Sequence, residues 1–135
     1  MQRRAAVAAL IAVAVPAGYA GVAGAQEGPA RQTVRMDDFR FRMPSNLDAG
    51  RTRFVFRNTG EFAHNFTVVA ALGGGRPFRS ATIPAGRRQR KTVRLQPGAY
   101  VAICTVFNGG HLAQGMEKRF TVGTFNGETG EWEDS

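Results

Sequence analysis

The chain has 135 residues, one cysteine, two histidines and a formal net charge of +8, so it is long enough for one domain or a small domain with a tail. One cysteine excludes an internal disulfide and a four-cysteine zinc site, and two histidines exclude a three-histidine zinc centre. Its 17 glycines and 6 prolines, together with 10 phenylalanines, favour a turn-rich β protein with an aromatic core.

The first 25 residues have the features of an export signal. Two arginines precede an unbroken apolar run of 11 residues over 5–15, which is too short to span a bilayer. The small residues at 23–25 resemble a signal peptidase site. We therefore expect residues 1–25 to be a signal peptide cleaved after Ala25, which would leave a periplasmic or secreted chain without a transmembrane segment. An uncleaved membrane anchor is the alternative interpretation.

The mature chain predicts short strands joined by turns. Residues 26–32 are expected to be a flexible lead-in, and residues 123–135 a loose acidic tail, with no convincing amphipathic helix between them. Alternating or β-branched apolar residues predict strands over 39–43, 51–58, 65–70, 80–83, 87–95, 99–106 and 118–122. Residues 99–106 are apolar on both faces, which is typical of a central strand. This spacing predicts an all-β protein, an antiparallel sandwich or barrel.

The charges are distributed unevenly along the mature chain. Four acidic residues lie in the tail, and the body before it is strongly basic. Such a body suits an anionic partner, although solubility alone is an equal explanation. Nucleic acid is not expected as a partner, because export would separate the protein from it.

Four residues could together hold a metal ion: His64, Cys104, His111 and Met116. The last three fall within thirteen positions of one another, at strand ends or in adjacent loops. Taken singly, each has a plainer interpretation, since a lone cysteine is usually a small buried side chain and a methionine usually belongs to the core. Together, a thiolate, two imidazoles and a thioether form a ligand set that suits copper.

The order of short motifs over residues 33–122 resembles the cupredoxins, the group that includes plastocyanin, azurin and pseudoazurin. The matching motifs are Phe39-x-Phe41-x-x-Pro44, Phe54-Val55-Phe56-x-Asn58-x-Gly60, His64-Asn65-Phe66, Ile83-Pro84-Ala85-Gly86, Pro97-Gly98-x-Tyr100-x-x-x-Cys104 and His111-x-x-x-x-Met116. The resemblance implies a cupredoxin-like Greek-key β-sandwich of about seven to eight strands. It also implies one type 1 copper ion as the cofactor.

By the same resemblance, His64 and His111 would be the imidazole ligands, Cys104 the thiolate and Met116 the weak axial ligand. Asn65 would join the two ligand loops and direct its backbone N–H towards the cysteine sulfur. Six residues separate Cys104 from His111, more than the small electron carriers usually have. This longer loop leaves the class of the site open, and Gln114 and Glu117 beside Met116 are possible oxygen ligands.

The resemblance further implies a non-enzymatic, monomeric carrier of single electrons. We expect His111 to lie at the surface, ringed by a docking patch of Phe107, Leu112 and Ala113. Basic residues would attract a redox protein with an acidic docking surface, among them Arg87, Arg88, Arg90 and Lys91. The alternative function is a periplasmic copper carrier or storage protein with the same fold and no role in electron transfer.

Overall fold

Two four-stranded sheets form the framework of residues 28–134, the part of the chain that the computed structural model describes. The first sheet has the order β2-β1-β4-β6, and its strands are β1 (Ala30–Asp37), β2 (Arg40–Arg42), β4 (Gly50–Asn58) and β6 (Arg88–Leu95). The second has the order β3-β8-β7-β5, and its strands are β3 (Asn46–Leu47), β5 (Thr67–Ala71), β7 (Gly98–Ile103) and β8 (Glu117–Val122).

Strand β4 shows how the sequence pattern produces the layers. Thr52, Phe54 and Phe56 are buried on one face, whereas Arg51 and Arg53 are exposed on the other. The buried faces of the two sheets enclose an aromatic core, and Phe66 lies at its centre. The ring of Phe66 contacts the rings of Phe41, Phe54, Phe56, Phe78 and Phe120, with centroids 5.1 to 6.2 Å apart.

The predicted β-sandwich is confirmed, and its two sheets contain eight strands. The sandwich is mixed rather than wholly antiparallel, because β1 pairs in parallel with β4, and β3 with β8. Strand β7 has one buried and one half-buried face, so the expected burial on both sides is only partial. Residues 80–83 form no strand and contribute only an isolated bridge at Ile83.

Three further expectations differ from the structure. Strand β1 begins at Ala30, inside the expected lead-in of 26–32, because its pairing with β4 extends back to that residue. The expected loose tail contains a hairpin of β9 (Thr124–Asn126) and β10 (Glu131–Glu133), on which Phe125 and Trp132 pack against each other. A four-residue helix, α1 (Gly110–Ala113), lies where no helix was expected.

The expected signal peptide and its cleavage site lie outside the described residues. Among residues 28–134, none of the helices is long and apolar enough to cross a membrane.

Candidate metal centre

His64, Cys104 and His111 meet at one end of the sandwich. The Nδ1 atoms of the two histidines are 3.1 Å apart, and the cysteine Sγ lies 3.5 Å from Nδ1 of His111 and 3.9 Å from Nδ1 of His64. His64 and Cys104 are fully buried, and His111 is only 4% exposed. Three residues that are up to 47 positions apart in the chain thus present their donor atoms to one small, buried volume.

Cys104 and Met116 are held side by side by the pairing of β7 with β8. Cys104 follows directly after β7, and its backbone N–H donates to the carbonyl of Met116 at 3.1 Å. The N–H of Met116 donates in turn to the carbonyl of His111, also at 3.1 Å. Met116 is fully buried, whereas Gln114 and Glu117 on either side of it are exposed. The backbone therefore places Met116 next to Cys104 with its side chain buried, whereas the two oxygen donors are exposed.

The loop before His64 is anchored by Asn58 at the end of β4. The Asn58 side-chain amide donates to the carbonyls of Phe62 and Ile83, each at 2.8 Å, and its oxygen accepts the N–H of Gly60 at 2.9 Å. His64 also forms a two-way backbone bridge with Ile83, at 3.1 and 2.8 Å. These buried bonds fix the position of the His64 backbone before any metal binds.

Asp38 contacts the far side of the His64 ring. Its Oδ1 lies 2.6 Å from Nε2 of His64, and its Oδ2 accepts the backbone N–H of Glu61 at 2.7 Å. Burial raises the pKa of Asp38, but the bonds from Glu61, His64 and Phe62 outweigh that effect and hold the pKa below its usual value. Because an ionised carboxylate can only accept, Nε2 carries the ring proton and Nδ1 keeps a free lone pair for a metal.

Asn65 joins the His64 loop to the Cys104 loop. Its backbone N–H points at the Cys104 sulfur, at 3.5 Å. Its side chain donates to the Thr105 hydroxyl at 2.8 Å and accepts the Thr105 backbone N–H at 3.0 Å. Two reciprocal bonds therefore hold together residues that are 40 positions apart.

His111 lies on α1 behind a wall of three phenylalanines. The ring centroids of Phe39, Phe107 and Phe62 are 4.9, 5.0 and 5.8 Å from that of His111. The expectation of a surface-exposed His111 is therefore wrong, because aromatic side chains cover the ring. Burial, followed by the neighbouring His64, lowers the pKa of His111, which favours the neutral imidazole that metals bind.

Of the expected docking residues, Phe107 belongs to this wall, and Leu112 and Ala113 follow His111 on α1. Phe107 is 67% exposed and Phe62 44% exposed, and their rings meet edge to face with centroids 6.4 Å apart. Ala113 is exposed, and Leu112 is half-buried. Phe107 has a φ of 57°, a left-handed conformation that is unusual for a bulky residue and occurs in the turn preceding the helix of His111.

The donor atoms fit a single metal ion. Metal–nitrogen bonds of about 2.0 Å and a metal–sulfur bond of about 2.3 Å in a trigonal plane would separate the nitrogens by about 3.5 Å and each nitrogen from sulfur by about 3.7 Å. The corresponding distances here are 3.1, 3.5 and 3.9 Å, a few tenths of an ångström away. A thiolate, two imidazoles and a nearby thioether suit copper, so the residues present fit one copper ion.

Sequence reasoning overlooked three residues of this site, namely Asp38, Phe39 and Phe62. Asp38 lies 26 positions before its histidine partner. The local sequence does not distinguish Asp38 from neighbouring Asp37, which pairs with Arg35 and Arg42 and does not contact His64. Phe39 and Phe62 look like ordinary core residues of short strands or turns, and only the folded loops bring them to His111.

The chain is similar to solved structures of small copper proteins. Auracyanin B is 25% identical, with 73% of this chain and 92% of that chain covered and a TM-score of 0.56. Auracyanin A, a "blue" copper protein from Chloroflexus aurantiacus, is 19% identical, with 70% and 99% covered and a TM-score of 0.55. An identity of 19% supports a shared fold with auracyanin A and nothing more.

A copper-containing nitrite reductase from Thermus scotoductus SA-01 is also similar to the chain. It is 26% identical over 71% of this chain, with a TM-score of 0.51, but only 22% of the reductase is covered. The likeness is therefore to one part of that enzyme. No protein-family profile matches the chain, and none of the curated proteins matches it significantly.

Proposed function

We propose, from its fold and its candidate ligand set, that the chain is a cupredoxin, an exported type 1 copper protein that carries single electrons between redox partners. His64, Cys104 and His111 bind the ion in this proposal, and Met116 is the axial ligand. Copper, when bound, supplies a one-electron couple between Cu(II) and Cu(I). The protein is not an enzyme in this proposal, because four protein ligands leave no position for a substrate.

Burial of the site is the observation that carries the proposal. All four of these side chains are at most 4% exposed. The Asp38, Asn65 and Asn58 hydrogen bonds hold the donors in place without a metal, so the ligands need little rearrangement when the charge of the ion changes. A carrier that hands its copper ion to another protein would need a more accessible ligand.

The exposed edges of Phe62 and Phe107 are proposed as the route for electrons. Both rings contact the buried His111 ring, and together with Leu112 and Ala113 they form the proposed docking patch, a small apolar surface at this end of the molecule. Arg87 lies near this end, directly before β6, where its carbonyl accepts the Asn58 N–H, and it would attract a partner with an acidic docking surface. The protein would act outside the cytoplasm, as a monomer, after cleavage near Ala25.

Competition with a chelator distinguishes the electron carrier from a copper carrier or storage protein. The copper-loaded protein is cycled between oxidised and reduced states in the presence of a Cu(I) chelator. The proposal predicts that the ion stays bound and that electron self-exchange is fast. Rapid transfer of copper to the chelator on reduction would contradict the proposal and support the copper carrier.

Phe107→Ala tests the electron route, and Phe125→Ala is its matched control. Both residues are exposed, at 67% and 52%, but Phe125 lies on the β9-β10 hairpin, outside the phenylalanine wall around His111. Phe107→Ala should slow self-exchange about tenfold or more while copper stays bound, and Phe125→Ala should leave the rate unchanged. Equal rates in the two variants would exclude Phe107 from the route.

A further inference from the structure

The outer face of the β2-β1-β4-β6 sheet carries an array of arginines. Strand register places the following side chains on the same face, and all are exposed: Arg31, Arg35, Arg40, Arg42, Arg51, Arg53, Arg57, Arg88, Arg90 and Arg94. We call this surface the arginine face. The four strands contain only one acidic residue, Asp37, which lies in one corner and pairs with Arg35 and Arg42.

Folding does not explain this arrangement. Arg51 lies directly opposite Arg94, and Arg57 lies opposite both Arg35 and Arg88. Like charges in such cross-strand positions are destabilising. Charged residues often protect an edge strand from pairing with other chains, but β1 and β4 are the two central strands of this sheet. Edge protection can account for the five arginines on β2 and β6, but it does not account for the five on β1 and β4. Because four of these five also form unfavourable like-charge pairs across the two strands, they suggest a binding role.

The arginine face also lacks the features of a specific protein interface. Such interfaces have an apolar centre from which charged residues are depleted. Besides the arginines and Asp37, the face contains Thr33, Val55 and Thr92, and Val55 is only 1% exposed, so no apolar side chain is available to a partner. All of its cations are arginines, whose planar guanidinium groups bind phosphate through two parallel hydrogen bonds.

The dimensions of the face suit an extended planar partner. Arg51 and Arg57 lie six residues apart on β4, which corresponds to about 20 Å along an extended strand. Four adjacent strands add about 14 Å in the other direction. Asn58, at the end of β4, donates to the carbonyl of Phe62, so the phenylalanine wall lies beyond one end of the array and not within it.

We propose that the arginine face binds the surface of an anionic phospholipid bilayer. Guanidinium groups would contact lipid phosphates across the face, since clustered arginines are attracted by the negative potential of anionic lipids. With this face on the lipid headgroups, the exposed rings of Phe62 and Phe107 would stay free at the end of the molecule for a redox partner. Membrane binding does not depend on the metal, so it can be tested whether or not the proposed copper function holds.

Vesicle co-sedimentation tests the proposal on residues 26–135, the proposed mature chain, because the apolar run over 5–15 would itself bind lipid. The test variant replaces Arg31, Arg51, Arg53 and Arg94 with glutamine, because these residues lie at the end of the face remote from His111. The matched control removes four charges from other surfaces by Arg76→Gln, Arg79→Gln, Lys118→Gln and Arg119→Gln. Vesicles of phosphatidylcholine alone are compared with vesicles that also contain phosphatidylglycerol, at low and at high salt, and circular dichroism verifies that each variant is folded.

The proposal predicts that the wild type binds the phosphatidylglycerol vesicles at low salt and dissociates at high salt. The test variant should bind at least tenfold more weakly, whereas the control should stay within about threefold of the wild type. Equal losses in both variants would show that only net charge matters and would overturn the proposal. Equal binding of the wild type to both kinds of vesicle would also overturn it, as would binding to an acidic protein but not to the vesicles.

Discussion

The Asp38 carboxylate and the His64 imidazole lie 2.6 Å apart, on the side of the ring opposite the metal centre. This contact fixes both the tautomer and the orientation of His64, because the carboxylate accepts the Nε2 proton and leaves Nδ1 facing Cys104 and His111. The metal centre therefore includes a residue that binds no metal itself.

Removal of the Asp38 carboxylate should weaken metal binding. Asp38→Ala leaves the His64 ring without its acceptor, and we expect copper affinity to fall by about 10- to 100-fold, the usual effect of losing such a partner. Asp38→Asn keeps an acceptor but removes a negative charge, so it should retain copper and raise the reduction potential. Copper titration and potentiometry measure the two effects.

Glu61→Gln is the charge control for Asp38, because Glu61 is an exposed carboxylate in the same loop. It should change neither the copper affinity nor the reduction potential beyond small shifts.

Gly60→Ala gives an independent test of the Asp38–His64 contact, because a Cβ there would overlap Asp38 Oδ1 and lie 3.0 Å from His64 Nε2. It should reproduce part of the affinity loss, while Gly127→Ala, which has open space around it, should not. Normal affinity in both Asp38→Ala and Gly60→Ala would show that the contact has no role in metal binding.

Replacement of the methionine should separate the axial ligand from the other three. Met116→Leu keeps a buried apolar side chain of similar volume but removes the thioether donor. We expect copper to stay bound and the potential to rise, since Cu(II) loses more from a missing donor than Cu(I) does. Met36→Leu is the matched control, because Met36 is equally buried but belongs to the core at β1. A lower potential in Met116→Leu would mean that Met116 is not the axial ligand.

The loop contact through Asn65 should contribute to stability as well as to the site. Asn65→Ala removes the two part-buried hydrogen bonds to Thr105, and at about 0.5–1.5 kcal/mol per bond their loss costs about 1–3 kcal/mol. We expect the free energy of unfolding of the metal-free protein to decrease by that amount in denaturant titrations. Asn46→Ala, an exposed asparagine whose side chain bonds to Thr121 and Gly123, serves for comparison and should cost less. Equal losses in the two variants would count against a special role for Asn65.

Acid should weaken the corner of the arginine face that Asp37 stabilises. Hydrogen bonds from the Thr59 hydroxyl and then from Arg42 lower the pKa of Asp37 to about 2. Because the pKa is lower in the folded state than in the unfolded state, this stabilisation is present above about pH 4 and is lost as the pH falls towards 2.

Asp37→Asn tests that contribution through unfolding curves measured from pH 7 to pH 2. The variant should be about 1–2 kcal/mol less stable than the wild type at neutral pH, a figure that allows for solvent screening of a side chain at the surface. The difference should shrink below pH 4. Glu128→Gln removes an exposed acid from the hairpin turn and should leave the stability at neutral pH unchanged. A constant gap between wild type and Asp37→Asn at every pH would contradict the assignment.

The sequence was sufficient to predict the sandwich, because most of its strands show clear apolar alternation. It also singled out His64, Cys104 and His111, whose donor atoms the structure brings together, whereas Met116 as the axial ligand stays a prediction. Contacts between residues that are far apart in the chain could not be predicted from the sequence. The aromatic cover over His111 comes from three separate loops, and the Asp38 contact depends on a turn held by Asn58. Neither leaves a local periodic signal in the chain.

Strand register explains why the arginine face was not predicted, and strand length explains why the hairpin was not. Each strand shows its own alternation of arginine and apolar residues, but only the pairing of β1, β4 and β6 brings the arginines onto a single surface. In the hairpin, each strand has only three residues, too few for a periodicity to show. Phe125 and Trp132 gain their contact only after the turn at 127–130 closes.

The most direct test of the central claim is a Cu(II) titration of the purified protein followed by visible absorption, with Cys104→Ser measured in parallel. A thiolate bound to Cu(II) gives an intense charge-transfer band, which serine cannot produce. We predict that the band in the wild type grows until one equivalent of copper has been added and is absent from Cys104→Ser. A wild-type protein that stays colourless, or a band that persists in Cys104→Ser, would contradict the account.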